Sequence, residues 1–175
     1  MTKLGSGALR PNADWADLRD IVHAAVERSG RLIRDHKAKV DIDPSVPLVC
    51  VDSVLMEQVF FNLIDNACKY SPPGTLVTIW ARGKDGHAII EVCDQGAGIP
   101  DADRERVFDM FYRVEATDKQ AAGTGLGLAI CRGIVEAHGG TIKAEPGLNG
   151  AGTCIVLSLP IGQPPDMTLS DTAGA

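Results

Sequence analysis

A short run of polar residues at helical spacing offers the first candidate chemistry in this sequence. Asn62, Asn66 and Lys69 stand four and three residues apart, so on a helix their side chains would share one face. Carboxamide oxygens can ligate a hard cation such as Mg²⁺, and an ammonium group attracts phosphate. These are the groups that a magnesium-nucleotide site requires. The same residues are also compatible with an ordinary solvated helix face, so the interpretation depends on the rest of the chain.

Two glycine-containing segments downstream favour the nucleotide interpretation. Asp94 ends an apolar run, and Gly96 and Gly98 follow it, so a fixed acceptor stands where a flat ligand can approach the backbone closely. Residues 123–128 carry three alternating glycines and lead into apolar residues at helical spacing. The backbone N–H groups at such a helix start can bind phosphate. Neither segment has the glycine spacing of a dinucleotide fold or a P-loop, and both of those classes are excluded.

The elements that would position these groups alternate between helices and strands. A helix capped by Asp14 is predicted to end near Asp35, and a second helix, capped by Asp52 or Ser53, is predicted to end before Pro72. A third helix should follow the glycines of residues 123–127. Strands are predicted at residues 40–43, 48–51, 76–82, 87–93, 141–145 and 153–159, with a hairpin turn at 83–86, a short helical stretch at 101–108 and a polar loop at 115–122.

Length and composition fit one globular domain with tails. The chain has 175 residues, of which 45% are hydrophobic and 23% charged. We expect a linker at residues 1–13, one globular domain at 14–160 and a disordered tail at 161–175. The net charge of -6 and the absence of a Lys/Arg run argue against nucleic acid as a partner. Without an apolar stretch of about 18 residues or a secretory leader, we expect a soluble, cytoplasmic protein.

The cysteines give no sign of a metal site. All five are widely spaced, and no two have the two-residue spacing of a zinc knuckle. Each has apolar neighbours, so we expect small buried apolar side chains in a reducing compartment rather than disulfides. The four histidines are equally scattered.

Taken together and in order, four segments resemble the ATP-binding catalytic domain of bacterial sensor histidine kinases. They are residues 62–71, 94–100, 108–113 and 123–128. The resemblance extends over about residues 14–160. Within the family, residues 9–15 and the helix at 129–132 look most like the potassium-sensing, Kdp-type kinases. The implied fold is a two-layer α/β sandwich of the Bergerat or GHKL type, in which three main helices cover one face of a mixed β-sheet and ATP lies between two helices.

The resemblance also implies roles for individual residues. Asn66 would give its carboxamide oxygen to Mg²⁺, with Asn62 assisting the ion or the phosphates, and Lys69 would complete the catalytic group. Asp94 would accept a hydrogen bond from the adenine amino group. The implied ATP contacts also include Lys69, Tyr70, Gly96, Gly98, Ile99, Arg113, Gly123, Thr124, Gly125, Leu126, Gly127, Leu128 and Thr153.

Phe108 and Phe111, with Arg113, would form the base of a mobile lid at residues 115–122. The aromatic rings could equally be plain core side chains.

Asn62 further distinguishes phosphoryl transfer from hydrolysis. Related ATPases that resemble this chain carry Glu at this position as the general base for water, and a carboxamide cannot take that proton. We therefore expect slow hydrolysis and a γ-phosphoryl group kept for another nucleophile. In the sensor kinases that nucleophile is a histidine on a separate dimeric helical hairpin, and the phosphoryl group then passes to an aspartate of a response regulator.

The acceptor itself is missing from this sequence. None of His23, His36, His87 and His138 is followed by the acidic residue and Thr-Pro pattern that the acceptor site of the family carries. We therefore expect a monomeric catalytic piece whose partners are the hairpin and the response regulator, with membrane association only through the parent protein. The alternatives are a stand-alone GHKL-type ATPase, an anti-sigma-type serine kinase, and a module that only binds partners.

Overall fold

The structure is a computed structural model that describes residues 9–114 and 123–162. Two sheets and three α-helices make up most of this part of the chain. The strands are β1 (Asp14–Ala16), β2 (Lys37–Ile42), β3 (Val49–Val51), β4 (Leu76–Lys84), β5 (His87–Cys93), β6 (Thr141–Pro146) and β7 (Thr153–Pro160). The helices are α1 (Leu18–Arg28), α2 (Ser53–Tyr70) and α3 (Gly127–Ala137).

The central sheet is mixed and has the strand order β2-β4-β5-β7-β6. β2 runs parallel to β4, and the three other pairs are antiparallel. Alternate residues of the central strands are fully buried, among them Ile79 and Ile90, and pack with Phe60 and Met56 of α2. Most of the residues between them are half-buried or exposed, whereas Cys93 and Cys154 on that face are buried. The predicted α/β sandwich with helices on one face of a mixed sheet is confirmed.

Helix α2 is the longest helix among the described residues, and its ends follow from the sequence. The carboxylate of Asp52 accepts a hydrogen bond from the backbone N–H of Leu55, which caps the helix as predicted. Pro72 and Pro73 follow Tyr70 and prevent the helix from continuing. The helix therefore has 18 residues, and Asn62, Asn66 and Lys69 lie in its second half.

The predicted first helix needs correction at both ends. Asp14 does not cap it, because residues 14–16 pair with β3 as a separate two-stranded antiparallel sheet. The cap is Asp17, whose carboxylate accepts from the N–H of Arg19. The helix ends at Arg28 instead of near Asp35, and a short 3₁₀ turn follows at Ile33–Asp35. Apolar residues at helical spacing extend beyond both ends of the observed helix, and this spacing made the predicted helix too long. The partner of β1 lies too far along the chain for local spacing to reveal the strand.

The hairpin of β4 and β5 is tighter than predicted. Both strands extend by pairing to Lys84 and His87, so the turn consists of Asp85 and Gly86 alone. Both residues have positive φ, 50° and 74°, which is the conformation of a two-residue turn matched to the strand twist. The predicted helical stretch at 101–108 consists of two 3₁₀ turns, at Asp101–Asp103 and Arg106–Phe108.

The cysteines also differ from the expectation of five free side chains. Cys93 and Cys154 face each other across β5 and β7 and form a disulfide, with their Cα atoms 4.1 Å apart. They are separated by 61 residues, and only the register of the two strands brings them together. Cys131 is buried and free as expected, whereas Cys68 is half-buried and Cys50 is exposed.

Some predictions concern residues outside the described part of the chain. The predicted mobile lid at 115–122 falls there entirely, as do residues 1–8 of the predicted linker and residues 163–175 of the predicted tail. The domain boundaries at 14 and 160 remain predictions.

Candidate functional site

A cavity of about 360 Å³ lies between α2, the start of α3 and the ends of β5 and β7. It brings together every predicted site residue except Gly96. The predicted residues in its wall are Asn62, Asn66, Lys69, Tyr70, Asp94, Gly98, Ile99, Arg113, Gly123, Thr124, Gly125, Leu126, Gly127, Leu128 and Thr153. These residues come from five separate segments of the chain, so the fold assembles one site from segments that the sequence keeps apart.

Asp94 forms one end of this cavity, directly after β5. Its Oδ1 accepts hydrogen bonds from the backbone N–H groups of Gly96, at 2.8 Å, and Thr153, at 3.2 Å. Its own N–H donates to the carbonyl of Thr153 at 2.8 Å. Among the described residues none donates to Oδ2, which leaves that oxygen available to a ligand.

Burial raises the pKa of the Asp94 carboxyl, and the two backbone N–H donors partly oppose this shift. The raised pKa reflects a carboxylate taken largely out of water beside apolar residues. Val92 and Ile155, on neighbouring strands, contribute apolar wall here. This end of the cavity therefore offers one oriented acceptor next to an apolar surface, a combination suited to a flat base that carries an amino group.

Gly96 is the predicted site residue outside the cavity wall, and the reason for glycine there is steric. A Cβ on Gly96 would stand 2.1 Å from the backbone carbonyl oxygen of Tyr70, so only glycine lets the end of α2 pack against this turn. Gly98 has φ +81° and lies in the wall itself. Thus Gly96 holds the turn that orients Asp94, and Gly98 borders the ligand space.

The opposite end of the cavity carries the polar side chains of α2. The carboxamide of Asn66 is half-buried and makes no hydrogen bond with any described residue. Lys69 forms an ion pair with Asp65, with 2.6 Å between Nζ and Oδ2. Asp65 also lines the cavity. It was not predicted, although its position four residues before Lys69 indicates an ion pair on a helix.

Asn62 is held on both sides of its carboxamide. Its Oδ1 accepts a hydrogen bond from the side-chain amide of Gln58 at 2.9 Å, and its Nδ2 lies 3.5 Å from the carbonyl oxygen of Gly127. The buried thiol of Cys131 lies beside it, where burial raises the thiol pKa to about 12 and a hydrogen bond with Asn62 opposes the shift. Asn62 therefore connects α2 to the first turn of α3. The contact between Gln58 and Asn62 was not predicted, although Gln58 stands one helical turn before Asn62.

The glycine segment leads into α3 without a side-chain cap. Helix α3 begins at Gly127, and the preceding residue, Leu126, makes no capping hydrogen bond through its side chain. Gly125 has φ +70°, and a Cβ there would stand 2.9 Å from backbone atoms of Phe111. The N–H of Phe111 donates to the carbonyl of Gly125 at 2.9 Å, which ties the two segments together. The first turn of α3, which lines the cavity, thus has backbone N–H groups without a side-chain cap.

The aromatic residues beside this segment have different environments. Phe108 is buried, with the guanidinium of Arg132 over its ring at 4.7 Å from the centroid. Phe111 is 70% exposed. Tyr112 lines the cavity, was not predicted, and donates from its hydroxyl to Asp103. Of the two rings proposed for the lid base, Phe108 is thus a core side chain and Phe111 is not.

No helix in the described part of the chain is both long and apolar enough to cross a membrane.

A mixed sheet covered by helices, with a half-buried carboxylate and a glycine-rich helix start in one cavity, defines a nucleotide-binding domain. Residues 51–163 match the profile of the histidine kinase-, DNA gyrase B- and HSP90-like ATPases. The chain belongs to this family, as the ATPase catalytic domain of a histidine kinase.

Relatives and solved structures support this assignment. Sensor protein KdpD of Clostridium acetobutylicum is 39% identical over 153 residues, which are 86% of this chain and 17% of the relative. The structure of a mycobacterial sensor histidine kinase, MprB, is 34% identical with a TM-score of 0.75, over 85% of this chain and 97% of that one. Full-length ShkA in complex with AMPPNP gives a TM-score of 0.79 at 25% identity, over 92% of this chain and 34% of that one. The chain therefore spans about a sixth of the KdpD relative.

Proposed function

We propose that this chain binds Mg-ATP and directs the γ-phosphoryl group to a histidine on a separate dimerisation hairpin. The supporting observation is the cavity itself, which joins an oriented carboxylate at one end to an uncapped, glycine-rich helix start at the other. Its wall is shared by α2, α3 and two strands, so a nucleotide could span from Asp94 to the glycines.

We assign the base to the Asp94 end. Oδ2 of Asp94 would accept from the adenine amino group while Oδ1 remains bonded to Gly96 and Thr153. Ile99 and Ile155 would cover the faces of the ring with apolar surface. Tyr70 and Arg113 line the space between this end and the glycines and would contact ribose or phosphate.

We assign the phosphates to the first turn of α3 and to the polar face of α2. Gly123, Gly125 and Gly127 would bring backbone N–H groups to the phosphate oxygens, where the helix dipole favours negative charge. Lys69 would reach phosphate by leaving its ion pair with Asp65, which is a modest cost for a partly exposed pair.

The residues present fit a magnesium ion. The carboxamide of Asn66 has no hydrogen-bond partner among the described residues, so its oxygen is available as a ligand. Bound Mg²⁺ would neutralise phosphate charge and usually keeps several waters, so one protein oxygen and the phosphates are sufficient. Asn62 is less suited as a direct ligand, because its oxygen already accepts from Gln58. Its amide N–H would assist at the phosphates instead.

Asn62 also supports transfer over hydrolysis. A carboxamide cannot act as a general base, and this one is held between Gln58 and Gly127. Phosphoryl transfer depends mainly on positioning and charge stabilisation, so a nucleotide domain can serve an acceptor that another domain carries.

The partners follow from the same proposal. The phosphorylated hairpin would pass its phosphoryl group to a response-regulator aspartate, and the parent kinase would be anchored in a membrane with this domain in the cytoplasm. The KdpD relative supports potassium sensing as the signal of the parent. The isolated domain would be monomeric.

Titration calorimetry with AMPPNP, with and without Mg²⁺, tests the nucleotide site. We expect binding in the micromolar to sub-millimolar range that strengthens with Mg²⁺. Adding the parent hairpin and ATP should then give acid-labile phosphohistidine on the hairpin. A folded chain that binds no nucleotide would refute the proposal, and binding with rapid hydrolysis but no transfer would favour a stand-alone ATPase.

A further inference from the structure

The two bonded cysteines lie beside the end of the cavity formed by Asp94, called the adenine end below because we assign the base to it. Cys93 is the last residue of β5 and Cys154 the second residue of β7, and the antiparallel register places them directly opposite each other. Val92 and Ile155, their neighbours in the strands, line the cavity. Because side chains alternate along a strand, the disulfide lies on the other face of the sheet, just behind the cavity wall.

The disulfide connects the two strand ends that form the acceptor. Asp94 follows Cys93 directly, and Thr153 precedes Cys154. Beyond the disulfide, these two residues are joined by a hydrogen bond between their backbones and by the bond from the Thr153 N–H to the Asp94 carboxylate. Any separation of the strands at the cysteines would therefore move one of the two donors that hold the Asp94 carboxylate in place.

We propose that Cys93 and Cys154 form a thiol–disulfide site whose redox state sets the nucleotide affinity of the adenine end. The inference rests on the proposed nucleotide-binding function. With the disulfide formed, Thr153 stays close to Asp94 and the carboxylate stays oriented. With two free thiols, β5 and β7 separate more easily at this end, and the oriented acceptor is populated for less of the time.

A low-molecular-weight disulfide such as oxidised glutathione supplies the oxidant. The thiolate of one cysteine attacks glutathione disulfide, forms a mixed disulfide and releases one glutathione thiolate. The second cysteine thiolate attacks the mixed disulfide, closes the Cys93–Cys154 bond and releases the second glutathione. The protein pair loses two electrons and two protons, and one glutathione disulfide becomes two molecules of reduced glutathione.

The other cysteines are poorly suited to this chemistry. Cys131 is buried between α2 and α3, and burial raises its pKa to about 12, so the reactive thiolate is scarce at neutral pH. Burial similarly raises the pKa of Cys68 to about 11. Cys50 is exposed on β3, in the smaller sheet and away from the cavity wall.

Burial of the disulfide couples its reduction to nucleotide binding. Cys93 is 2% exposed and Cys154 is 5% exposed, so a reductant can attack only after the strand ends open. A nucleotide that needs Asp94 in place binds the closed form. Coupling of this kind is reciprocal, so a disulfide that strengthens nucleotide binding must itself be protected by the nucleotide.

The test uses the full 175-residue wild-type chain in two redox states. The chain is oxidised with glutathione disulfide or reduced with dithiothreitol, and alkylation with mass spectrometry counts the free thiols. Calorimetry with Mg-AMPPNP should show an affinity about fivefold or more weaker in the reduced chain. AMPPNP at ten times its Kd should slow reduction by dithiothreitol on the order of tenfold, because only the open form is attacked.

Variants separate this pair from the other thiols. Cys93→Ser and Cys154→Ser should each show the affinity of the reduced chain and no response to oxidant, whereas Cys50→Ser should behave as the wild type. Circular dichroism melts show whether the serine variants fold, and the wild-type comparison does not depend on them. Five alkylatable thiols after oxidation, or equal affinities in the two states, would overturn the inference. Absence of AMPPNP binding in both states would instead refute the nucleotide function on which it rests.

Discussion

The two ends of the cavity are built from different parts of the protein. At the adenine end, Asp94 is held by backbone donors from Gly96 and Thr153, and the strands that carry it are paired along their length. At the phosphate end, the polar groups are side chains on one face of α2. Asn66 has no hydrogen-bond partner among the described residues, and Lys69 holds only a partly exposed ion pair.

This difference fits the chemistry that each end would serve. An adenine base is the same before and after phosphoryl transfer, so an acceptor fixed in advance costs nothing when the reaction proceeds. The phosphates and their metal ion change in charge and position, and side chains with little prior bonding can follow them. The comparison predicts that changes at the adenine end alter which base binds, and changes at the phosphate end alter dependence on Mg²⁺.

The largest effect is expected from Asp94→Asn. The amide can keep the bonds to Gly96 and Thr153 through its oxygen, but it then presents an NH₂ group where adenine also has one. A hydrogen bond to a charged group contributes about 1.5–3 kcal/mol, so AMPPNP affinity should fall on the order of 100-fold. An inosine nucleotide carries an oxygen in place of the amino group, so its affinity should fall much less in Asp94→Asn, or should rise. Calorimetry with both nucleotides measures this reversal.

Acidification of the wild type provides a control for that variant. Burial raises the pKa of Asp94, so its carboxyl takes up a proton at a higher pH than an exposed aspartate. Protonation removes the charged acceptor, and adenine affinity should therefore be lost as the pH falls through this raised pKa. The ratio of wild-type to Asp94→Asn affinity cancels titration of the nucleotide itself. A ratio that stays constant between pH 7 and the lowest pH at which the chain is folded would contradict the assignment of Asp94.

Asn66→Ala should have the next largest effect. Removing the carboxamide takes away the available oxygen at the phosphate end, and we expect about tenfold weaker binding of Mg-AMPPNP, in the range of one lost polar contact. Binding without Mg²⁺ should change much less, which distinguishes a metal ligand from a residue that contacts the nucleotide directly. Titrations at several Mg²⁺ concentrations measure this difference.

Arg82→Ala is a suitable control for Asn66→Ala. Arg82 is exposed on the outer face of the sheet and pairs with Glu91, away from the cavity wall. Its removal should leave both titrations unchanged. If Asn66→Ala lowered AMPPNP affinity equally with and without Mg²⁺, Asn66 would not be a ligand of the ion.

A matched pair of glycine variants tests the tie between Gly125 and Phe111. Gly125 has φ +70° and a Cβ there would meet the Phe111 backbone at 2.9 Å, whereas Gly133 lies within α3 with open space around its Cβ position. Gly125→Ala should therefore lower the free energy of unfolding by about 1–2 kcal/mol, and Gly133→Ala should raise it by up to about 1 kcal/mol. Urea denaturation measures both. If Gly125→Ala were as stable as the wild type, the glycine segment would be able to adapt to a side chain.

The sequence predicts the local parts of this structure better than the distant contacts. The cap at Asp52 and the stop at Pro72 bound α2 correctly because both signals lie within a few residues of the helix ends. The disulfide of Cys93 and Cys154 was missed because it depends on strand register across 61 residues. The strand at Asp14–Ala16 was read as helix for the same reason, since its partner, β3, lies more than thirty residues away.

The candidate site follows the same division. Spacing pointed to the polar face of α2 and to the two glycine segments, and the resemblance to sensor kinases implied the remaining contacts; all of these residues but Gly96 lie in the cavity wall. What each side chain does there depends on its neighbours. Lys69 is paired with Asp65, and the Asn62 oxygen is occupied by Gln58, so two residues expected to face the ligand are already engaged.

The smallest effect on binding, and a specific effect on transfer, is expected from Gln58→Leu. Gln58 donates to Oδ1 of Asn62, which leaves the Asn62 N–H groups directed toward Gly127 and the glycine segment. Without that donor the carboxamide can rotate. Because a neutral hydrogen bond contributes about 0.5–1.5 kcal/mol, phosphotransfer to the hairpin should slow about threefold to tenfold, while AMPPNP affinity changes less than about twofold. Single-turnover transfer assays and calorimetry separate the two quantities.

A double-mutant cycle shows whether Gln58 acts through Asn62. If it does, Gln58→Leu should slow transfer in the wild type but add almost nothing in an Asn62→Ala background, since the group it positions is gone. Gln58→Glu gives a second test, because a carboxylate accepts where the amide donates and would turn the Asn62 NH₂ group toward residue 58. That variant should impair transfer at least as much as Gln58→Leu. If the reductions in transfer rate from Gln58→Leu and Asn62→Ala were instead additive, Gln58 would have a packing role on α2 that is independent of Asn62.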